Sequence, residues 1–380
     1  MNFNMAEIEA LRLAGCYKSL PQELDSFQSE LLSSAGIRSL CTLRLLRIDK
    51  QRNIRLTPAG WDLLSLLGHN YPRDKGYLSD PAKLRRRKEA ALLMFTFYRA
   101  GIPVFAQSVA ELPHSPIFLS AAAARRNTAI STANVWAGCR LAGIARVGEA
   151  TFLLHYVDEK GIQFTSEMEL FQKLTANHCA RTACIYAAAS YREAIGWIQS
   201  TAPPLDNKRG GWVSFRDACK RTVLPVHLLE CSNTGAVQLA VMNTPGYRER
   251  IAHLVTVSCY QPPPPTLPDA DAILEGLPLV TAVDMDVKRI GCAYREARKL
   301  GFATIRVVAL TEQLDALSEL LHPLGVTELY DIAQADLMRA MQLAFYEPSS
   351  EPYRTKEGGV LSVSDIPFRR KAGRPPKQAP

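Results

Sequence analysis

Residues 43–60 constrain the fold of this chain most strongly, because their pattern predicts the end of one helix, a basic hairpin and the start of another helix. Ile48 and residues 54–56 suit two short strands, and residues 49–53 form a polar turn between them. Thr57 is a favourable N-cap residue for the helix that follows, and Pro58 suits its first position. This order of elements is typical of the second half of a winged helix-turn-helix, a fold that commonly holds duplex DNA.

The helix before the hairpin is predicted to have two distinct faces. Its apolar residues recur at helical spacing and form one stripe: Ile37, Leu40, Cys41 and Leu45. Its polar residues point away from that stripe, as the DNA-contacting residues of a groove-facing helix do: Arg38, Ser39, Thr42 and Arg44. The hairpin adds positive charge that phosphates could reach: Lys50, Arg52 and Arg55. We therefore predict a winged helix-turn-helix over residues 1–68, with further helices at residues 6–14 and 22–32. The alternative is a small helical domain whose hairpin contacts protein instead of DNA.

Composition limits the class of protein. The 380 residues suffice for several domains, and the net charge of +8 modestly favours an acidic partner. No run of about 20 apolar residues is present, and the first residues lack a signal-peptide pattern, so we expect no membrane contact. The nine cysteines are odd in number and mostly lie in apolar surroundings, which favours a reducing cytoplasm.

The middle of the chain is predicted to be helical at first. A helix with a basic start covers residues 83–98, and a further helical stretch precedes residue 142. Alternating residues at 144–147 and 151–157 predict a hairpin. Helix followed by hairpin resembles the first unit, so residues 83–160 could contain a second winged-helix-like module.

Residues 161–346 are predicted to form an α/β domain. Residues 181–198 suit a helix, and residues 226–230 and 237–242 suit paired strands. Further on, strands at 279–283, 303–310 and 327–330 alternate with helices, which implies a parallel sheet. The expected fold class is therefore a multidomain α+β or α/β protein.

A candidate active site lies in this domain. Asp269 follows a proline, and Asp286 and Lys288 follow an apolar strand, which fits the Pro-Asp…(Asp/Glu)-x-Lys pattern of restriction-endonuclease-like folds. Two carboxylates on adjacent strands can hold Mg²⁺, and the lysine can stabilise charge that develops at phosphorus. One alternative to an active site is that these aspartates lie at an exposed strand end. Another is a nuclease fold that has lost its activity and serves for contact with DNA or protein.

The last segment, residues 347–380, is polar and rich in Pro and Gly, so we expect a disordered basic tail. Its end resembles an AT-hook, whose core here is Gly373, Arg374 and Pro375 with Arg370 and Lys371 before it. Arg374 could enter the narrow minor groove of A·T-rich DNA, and the flanking cations could meet phosphates. The alternative is a basic tail with no groove preference.

With these residues in view, the chain resembles the replication-relaxation family of plasmid and conjugative-element proteins. The resemblance is carried by Arg-Leu-Thr-Pro-Ala-Gly at 55–60, Leu-Pro-Asp-Ala at 267–270, Val-Asp-Met-Asp at 283–286 and Ile-Arg-Val-Val-Ala-Leu at 305–310. It implies an N-terminal winged helix and a C-terminal domain similar to the restriction-endonuclease, or PD-(D/E)XK, fold. Family members usually carry Glu at the position of Val283. The resemblance also implies a role in replication, relaxation or transfer of a mobile element.

The sequence thus favours a cytoplasmic DNA-binding accessory protein of a mobile genetic element. Its expected partners are double-stranded DNA, A·T-rich at the tail, and replication or transfer proteins. We expect no resident metal or cofactor, and Mg²⁺ only if the domain is a nuclease. The two other hypotheses are a Mg²⁺-dependent nuclease that uses Asp269, Asp286 and Lys288, and a scaffold that bridges a relaxase or replication complex.

Overall fold

The computed structural model describes residues 2–32, 34–73, 80–126, 139–176, 181–205 and 211–365. The chain divides into an N-terminal unit, formed by residues up to Ala91 and the segment from Glu347, and a central unit, Leu92–Tyr346. Both helices and sheets are present, so the mixed α/β class predicted from the sequence is confirmed. No described helix has both the length and the apolar character needed to cross a bilayer.

The N-terminal unit places a short hairpin between two helices. Its elements are α1 (Met5–Tyr17), 3₁₀ turns at Gln22–Phe27 and Glu30–Leu32, α2 (Ser34–Thr42), β1 (Leu46–Ile48), β2 (Ile54–Leu56), α3 (Pro58–Leu66) and the start of α4 (Pro81–Arg99). Strands β1 and β2 are antiparallel, with Leu46 opposite Leu56. On the other edge of β2, the backbones of Leu20 and Ile54 exchange hydrogen bonds of 3.0 and 2.9 Å.

Helix ends in this unit follow the sequence closely. The Thr57 hydroxyl accepts from the Gly60 N–H at 3.2 Å, so Thr57 caps α3 as predicted. A Cβ at Gly60 would lie 2.3 Å from the Leu45 carbonyl oxygen, which explains a glycine inside this helix. The predicted second helix at 22–32 is wrong, because Gln28 adopts a left-handed backbone (φ 49°) that ends the first 3₁₀ turn.

The segment after Tyr346 is ordered at its start, so the prediction of disorder from residue 347 is wrong for residues 347–365. Phe3 N–H donates to the Leu361 carbonyl, and Tyr353 N–H donates to the Phe3 carbonyl, at 3.0 and 2.8 Å. Leu361 is 2% exposed. Pairing with the start of the chain satisfies backbone groups that composition alone suggested would stay in water.

A five-stranded sheet forms the first part of the central unit as described. Its strands are β3 (Ile117–Ser120), β4 (Gly143–Val147), β5 (Ala150–Tyr156), β6 (Arg181–Ala188) and β7 (Val226–Glu230), in the order β3-β4-β5-β6-β7. The first three strands are antiparallel, and β5, β6 and β7 are parallel. The hairpin predicted near residues 144–157 forms as β4–β5. It lies inside this sheet, however, so residues 83–160 do not make a separate second winged-helix-like module.

The second part of the central unit contains a four-stranded sheet. Its strands are β8 (Ala272–Leu274), β9 (Leu277–Thr281), β10 (Arg306–Leu310) and β11 (Glu328–Ile332), in the order β11-β10-β9-β8 among the described residues. Strands β9, β10 and β11 are parallel, as the alternation of strands and helices predicted. Strand β8 is antiparallel to β9.

Helices flank both sheets of the central unit. They are α5 (Ala121–Arg126), α6 (Phe164–Thr175), α7 (Tyr191–Gln199), α8 (Phe215–Arg221), α9 (Asn233–Met242), α10 (Tyr247–Thr256), α11 (Val287–Lys299), α12 (Leu314–Leu321) and α13 (Gln334–Met341).

Two elements differ from the sequence prediction. Helix α9 was predicted as a strand, and β6 was predicted as part of a helix. Both are buried over nearly all of their length, so neither has an exposed polar face and their periodicity carries little signal. The deciding local feature of α9 is Ser232, whose hydroxyl accepts from the Gly235 N–H at 3.3 Å and caps the helix.

We predict that Gly235→Ala destabilises the protein strongly, because a Cβ there would lie 1.8 Å from the Glu230 carbonyl oxygen. The free energy of unfolding, measured by urea titration, should fall by roughly 3 kcal/mol or more. Gly196→Ala is the matched control, since Gly196 lies in α7 with no atom within 4 Å of its Cβ position. That change should leave stability unchanged or raise it by up to about 1 kcal/mol. Equal effects of the two substitutions would contradict the prediction.

Candidate functional site

A strained turn, residues 282–285, follows β9 and is buried within the central unit. Met285 is fully buried and has a left-handed backbone (φ 53°), which costs free energy for any residue other than glycine. Its N–H donates to the Ala282 carbonyl at 2.8 Å, and its carbonyl accepts from the Leu228 N–H of β7 at 3.1 Å. Hydrogen bonds on both sides therefore hold the turn in place.

Buried amide side chains hold the carbonyls of the same turn. Gln313 donates to the Val283 carbonyl at 3.0 Å, and Gln238 donates to the Asp284 carbonyl at 2.9 Å. Tyr191 joins the two amides, because its hydroxyl donates to Gln238 at 2.6 Å and accepts from Gln313 at 3.2 Å. Sequence reasoning missed these residues, since an isolated glutamine in an apolar stretch carries no distinctive pattern.

Asp284 is the charged centre of the turn and is only 1% exposed. Its Oδ2 accepts from Arg248 Nε at 2.9 Å and from the Tyr247 hydroxyl at 2.5 Å, and its Oδ1 accepts from the Asp286 N–H at 3.2 Å. Burial would raise the pKa of Asp284, but Arg248 and other nearby groups hold that pKa well below its usual range. Asp284 is therefore an ionised, internally bonded carboxylate.

Asp286 lies two residues further on and has a different environment. Its Oδ1 accepts from the Arg289 N–H at 3.1 Å, so Asp286 is the N-cap of α11. Its Oδ2 lies 3.7 Å from Arg248 Nη2 and 3.9 Å from His227 Nε2. The His227 ring is oriented by a 2.9 Å hydrogen bond from Nδ1 to the Asp284 carbonyl.

Arg289 fixes a third carboxylate beside this centre. Its Nη2 donates to Asp271 Oδ1 at 2.6 Å, and its Nη1 donates to the Thr281 carbonyl at 3.1 Å. The other oxygen of Asp271 accepts from the Thr281 N–H and hydroxyl at 2.7 and 2.8 Å. The residues before β8 are thereby fastened to the end of β9.

These groups border a cleft of about 1180 Å³ in the central unit. We call it the Asp286 cleft, and its walls include His227, Arg248, Asp269, Asp286, Lys288 and Arg289. The starts of β5, β6 and β7 form one wall, and the first turns of α10 and α11 form another. The three residues predicted as catalytic, Asp269, Asp286 and Lys288, thus line one cavity.

The arrangement of those three residues differs from the one that the nuclease hypothesis requires. Asp286 and Lys288 stand at the start of α11, not along a strand, so side chains two positions apart point in different directions. Lys288 Nζ donates to the Thr222 carbonyl, and Asp286 is occupied in part by its capping bond. Within the described ranges, no group of three or more His, Cys, Asp or Glu side chains is placed to hold a metal ion.

The residues predicted to bind DNA divide into two groups in the N-terminal unit. Arg38, Thr42, Arg44, Lys50 and Arg52 are exposed on α2, the hairpin and the link between them. Ser39 is half-buried, and its hydroxyl donates to Glu7 on α1 at 3.3 Å, so its prediction as a groove-facing residue is not supported.

Arg55 also departs from the prediction of a free cation on the hairpin. Its Nε lies 2.8 Å from Asp49 Oδ2, and its side chain is 13% exposed. Asp49 Oδ1 accepts from the backbone N–H groups of Gln51 and Asn53 at 3.0 and 2.9 Å, which closes the turn. Arg55 therefore has a structural role. Arg47, its exposed cross-strand partner, is a cation that the sequence prediction did not include.

The AT-hook-like residues lie outside the described part of the chain: Arg370, Lys371, Gly373, Arg374 and Pro375. No family model, curated protein or solved structure matches the chain.

We predict that Asp284→Asn lowers the free energy of unfolding at neutral pH by roughly 3 kcal/mol, because it leaves Arg248 without its anionic partner. The folded-state pKa of Asp284 is depressed, so its contribution is present above the unfolded pKa of about 4 and is lost as pH falls further. Urea titrations from pH 7 to pH 3 should therefore show the gap between wild type and variant narrowing on acidification.

Asp269→Asn is the control for this experiment, since it removes a carboxylate from the same cleft. Asp269 is half-buried and makes no side-chain hydrogen bond within the described residues, so stability should change by less than about 0.5 kcal/mol. If the difference in free energy of unfolding between wild type and Asp284→Asn stayed constant with pH, this would count against an ionised Asp284 in the folded protein.

Proposed function

We propose that this protein binds duplex DNA through a surface of its N-terminal unit, as an accessory protein of a mobile genetic element. The surface, which we call the basic hairpin surface, consists of Arg38, Arg44, Arg47, Lys50 and Arg52. The observation that carries the proposal is this cluster of exposed cations on a helix and the hairpin beside it. The setting in replication, relaxation, transfer or transcriptional control is supported by the family resemblance.

Most cations of the basic hairpin surface have no carboxylate beside them in the described part of the chain. Within the described residues, Arg44, Arg47, Lys50 and Arg52 form no ion pair, and the one acidic residue of the hairpin, Asp49, is paired with Arg55. Such a concentration of like charge is unfavourable unless counterions or a polyanion neutralise it. Binding to phosphates releases counterions from DNA and favours association.

The shape of the basic hairpin surface also suits a duplex. Arg38 and Thr42 are four residues apart on α2, so they lie on one face of that helix, and both are exposed. An exposed helix face can enter the major groove, which admits one α-helix. The hairpin would then contact the neighbouring phosphates through Arg47, Lys50 and Arg52, which fixes orientation without reading sequence.

The C-terminal tail supports the same proposal. Residues 347–365 pair with Phe3 and its neighbours, so the tail starts from the unit that carries the basic hairpin surface. Attachment to one unit gives the tail a high effective concentration at DNA that is already bound. We propose that Arg374, between Gly373 and Pro375, enters an A·T-rich minor groove while Arg370 and Lys371 meet phosphates.

We predict that the combined substitutions Arg47→Gln, Lys50→Gln and Arg52→Gln weaken binding to duplex DNA at least tenfold at 0.1 M salt. Fluorescence anisotropy across a salt series measures the slope of log affinity against log salt concentration. The magnitude of this slope should fall by roughly 2 to 3, because each lost cation removes about one phosphate contact.

The control removes three exposed cations of the central unit, by Lys220→Gln, Arg221→Gln and Lys299→Gln. It lowers net charge by the same amount, so it separates a local surface from a general effect of charge. The proposal fails if both triple variants lose the same affinity, or if wild-type protein shows no salt-dependent binding.

A separate prediction concerns the tail. Arg374→Ala should reduce the preference for an A·T-rich duplex over a G·C-rich one more than it reduces overall affinity, because a narrow A·T minor groove attracts arginine most strongly. Competition between the two duplexes measures this preference directly. Arg370→Ala serves as a control for a phosphate contact, whose loss should affect both duplexes alike. Equal losses for Arg374→Ala on the two duplexes would refute a minor-groove hook.

A further inference from the structure

Two acceptor atoms of largely buried side chains lie side by side at the Asp286 cleft, close enough for one ligand atom beside them to contact both. Asp286 Oδ2 lies 3.9 Å from His227 Nε2, and each side chain is 5% exposed. This separation is longer than a hydrogen bond. In the described part of the chain, hydrogen bonds to the Asp286 carboxylate reach Oδ1 alone, so Oδ2 is open to a ligand.

The tautomer of His227 follows from its surroundings. The Asp284 carbonyl can only accept, so Nδ1 carries a hydrogen in this 2.9 Å contact, and a ring with a single hydrogen has none on Nε2. Nε2 then presents a lone pair beside Asp286 Oδ2. Two adjacent acceptors are complementary to a group with two N–H or O–H hydrogens, because each hydrogen can satisfy one acceptor.

Arg248 supplies the third polar atom and decides the charge of the ligand group. Its Nη2 lies 3.7 Å from Asp286 Oδ2, and its side chain is 33% exposed. The guanidinium offsets part of the charge on Asp286 Oδ2, so a neutral amino group is sufficient as the donor to that oxygen. Arg248 also offers donors to an acceptor beside that amino group.

We propose that the Asp286 cleft binds a nucleobase that carries an amino group next to an unprotonated ring nitrogen, as adenine and cytosine do. The amino group donates to Asp286 Oδ2 and His227 Nε2, and the ring nitrogen accepts from Arg248. This inference concerns the central unit and does not depend on DNA binding by the N-terminal unit.

The rest of the Asp286 cleft fits a nucleotide. Its volume of about 1180 Å³ leaves ample space for base, sugar and phosphate. Tyr260 lines the cleft and stacks on His253, with ring centroids 3.7 Å apart, so the wall includes an aromatic ring of the kind on which bases stack. The first turn of α10 borders the same cleft, and its N-cap Gly246 has no side chain to occupy the N–H groups that attract phosphate.

The test is calorimetric titration of the full chain with four nucleotides, AMP, IMP, CMP and UMP. IMP and UMP replace the amino group of AMP and CMP by a carbonyl, which would face two acceptors. We expect AMP or CMP to bind at least about tenfold more tightly than its carbonyl counterpart, since mismatched buried acceptors stay unpaired. No binding at millimolar concentration, or equal binding within both pairs, would overturn the proposal.

Asp286→Asn is expected to reverse the nucleotide preference, which is a more specific outcome than loss of binding. Its Oδ1 must still accept from Arg289 N–H to cap α11, a role that Asn fills well, so the amide NH₂ takes the place of Oδ2. The site then offers a donor, and preference should shift by about tenfold towards IMP or UMP. Asp315→Asn, the same change of charge at an exposed position of α12 outside the Asp286 cleft, should leave the preference unaltered. A variant that binds both nucleotides of a pair as wild type does would contradict the assigned contact.

A second substitution covers the case in which Asp286→Asn does not fold. His227→Phe keeps a ring of similar size and removes the Nε2 acceptor, so the preference for an amino base should fall about tenfold while thermal unfolding remains cooperative. Retention of the wild-type preference in this variant would overturn the proposal.

Free nucleotides and single-stranded DNA could both supply such a base. Titrating the triple Gln variant of the basic hairpin surface with AMP and with oligo(dA) or oligo(dT) separates them, because phosphate contacts of the N-terminal unit are then weakened. AMP binding as tight as oligo(dA) binding identifies a free nucleotide, and tighter binding of oligo(dA) than of both AMP and oligo(dT) identifies an unpaired base of a strand. Equal binding of oligo(dA) and oligo(dT) without AMP binding contradicts base recognition.

Discussion

The central unit depends most on the ion pair between the Asp284 carboxylate and Arg248. This pair lies where the two sheets of the unit meet. A carboxylate that is 1% exposed would be very costly without a partner, and Arg248 and Tyr247 supply that partnership from the first turn of α10. The ion pair therefore ties a helix to the turn after β9. The same turn is tied to β7 through the Leu228 N–H. Removing the charge would loosen a helix, a strand and a turn together.

The left-handed backbone of Met285 explains why two nearby aspartates have different chemistry. A residue with positive φ between them redirects the chain, so Asp284 faces buried donors while Asp286 caps α11 at the edge of the Asp286 cleft. One carboxylate is hydrogen-bonded through both oxygens, and the other has a hydrogen bond to Oδ1 alone within the described residues. Strain at Met285 is sustained because Gln238 and Gln313 hold the carbonyls of the two residues before it, and the Leu228 N–H holds its own carbonyl. Structural and ligand-facing roles are thereby separated within three residues.

Sequence patterns predicted the elements whose signals are local. The Thr57 cap, the β1–β2 hairpin and the parallel strands β9, β10 and β11 all follow from spacing and capping chemistry. Patterns failed where burial is nearly complete, as in β6 and α9, because an element without an exposed polar face has little period to read. Patterns also do not show side-chain pairing, since Arg55 is paired with Asp49 of the same hairpin and Ser39 is hydrogen-bonded to Glu7 of α1. Asp269, Asp286 and Lys288, which a short motif singled out, line one cavity, whereas His227 and Arg248 in the same lining come from segments with no motif.

The two units differ in whether their charged side chains form ion pairs. Around the Asp286 cleft, three arginines are matched with nearby carboxylates, Arg181 with Glu149, Arg289 with Asp271, and Arg248 with Asp284, while Lys288 donates to the Thr222 carbonyl. Such a lining has little net attraction for a polyanion and favours a ligand that is recognised by the pattern of its donors and acceptors. On the hairpin, by contrast, Arg47, Lys50 and Arg52 have no ion-pair partner in the described residues. A surface of that kind attracts phosphate backbones over a distance set by ionic strength. The two proposed roles therefore place different demands on charge, an unpaired cationic surface for phosphate backbones and a charge-balanced lining for a base.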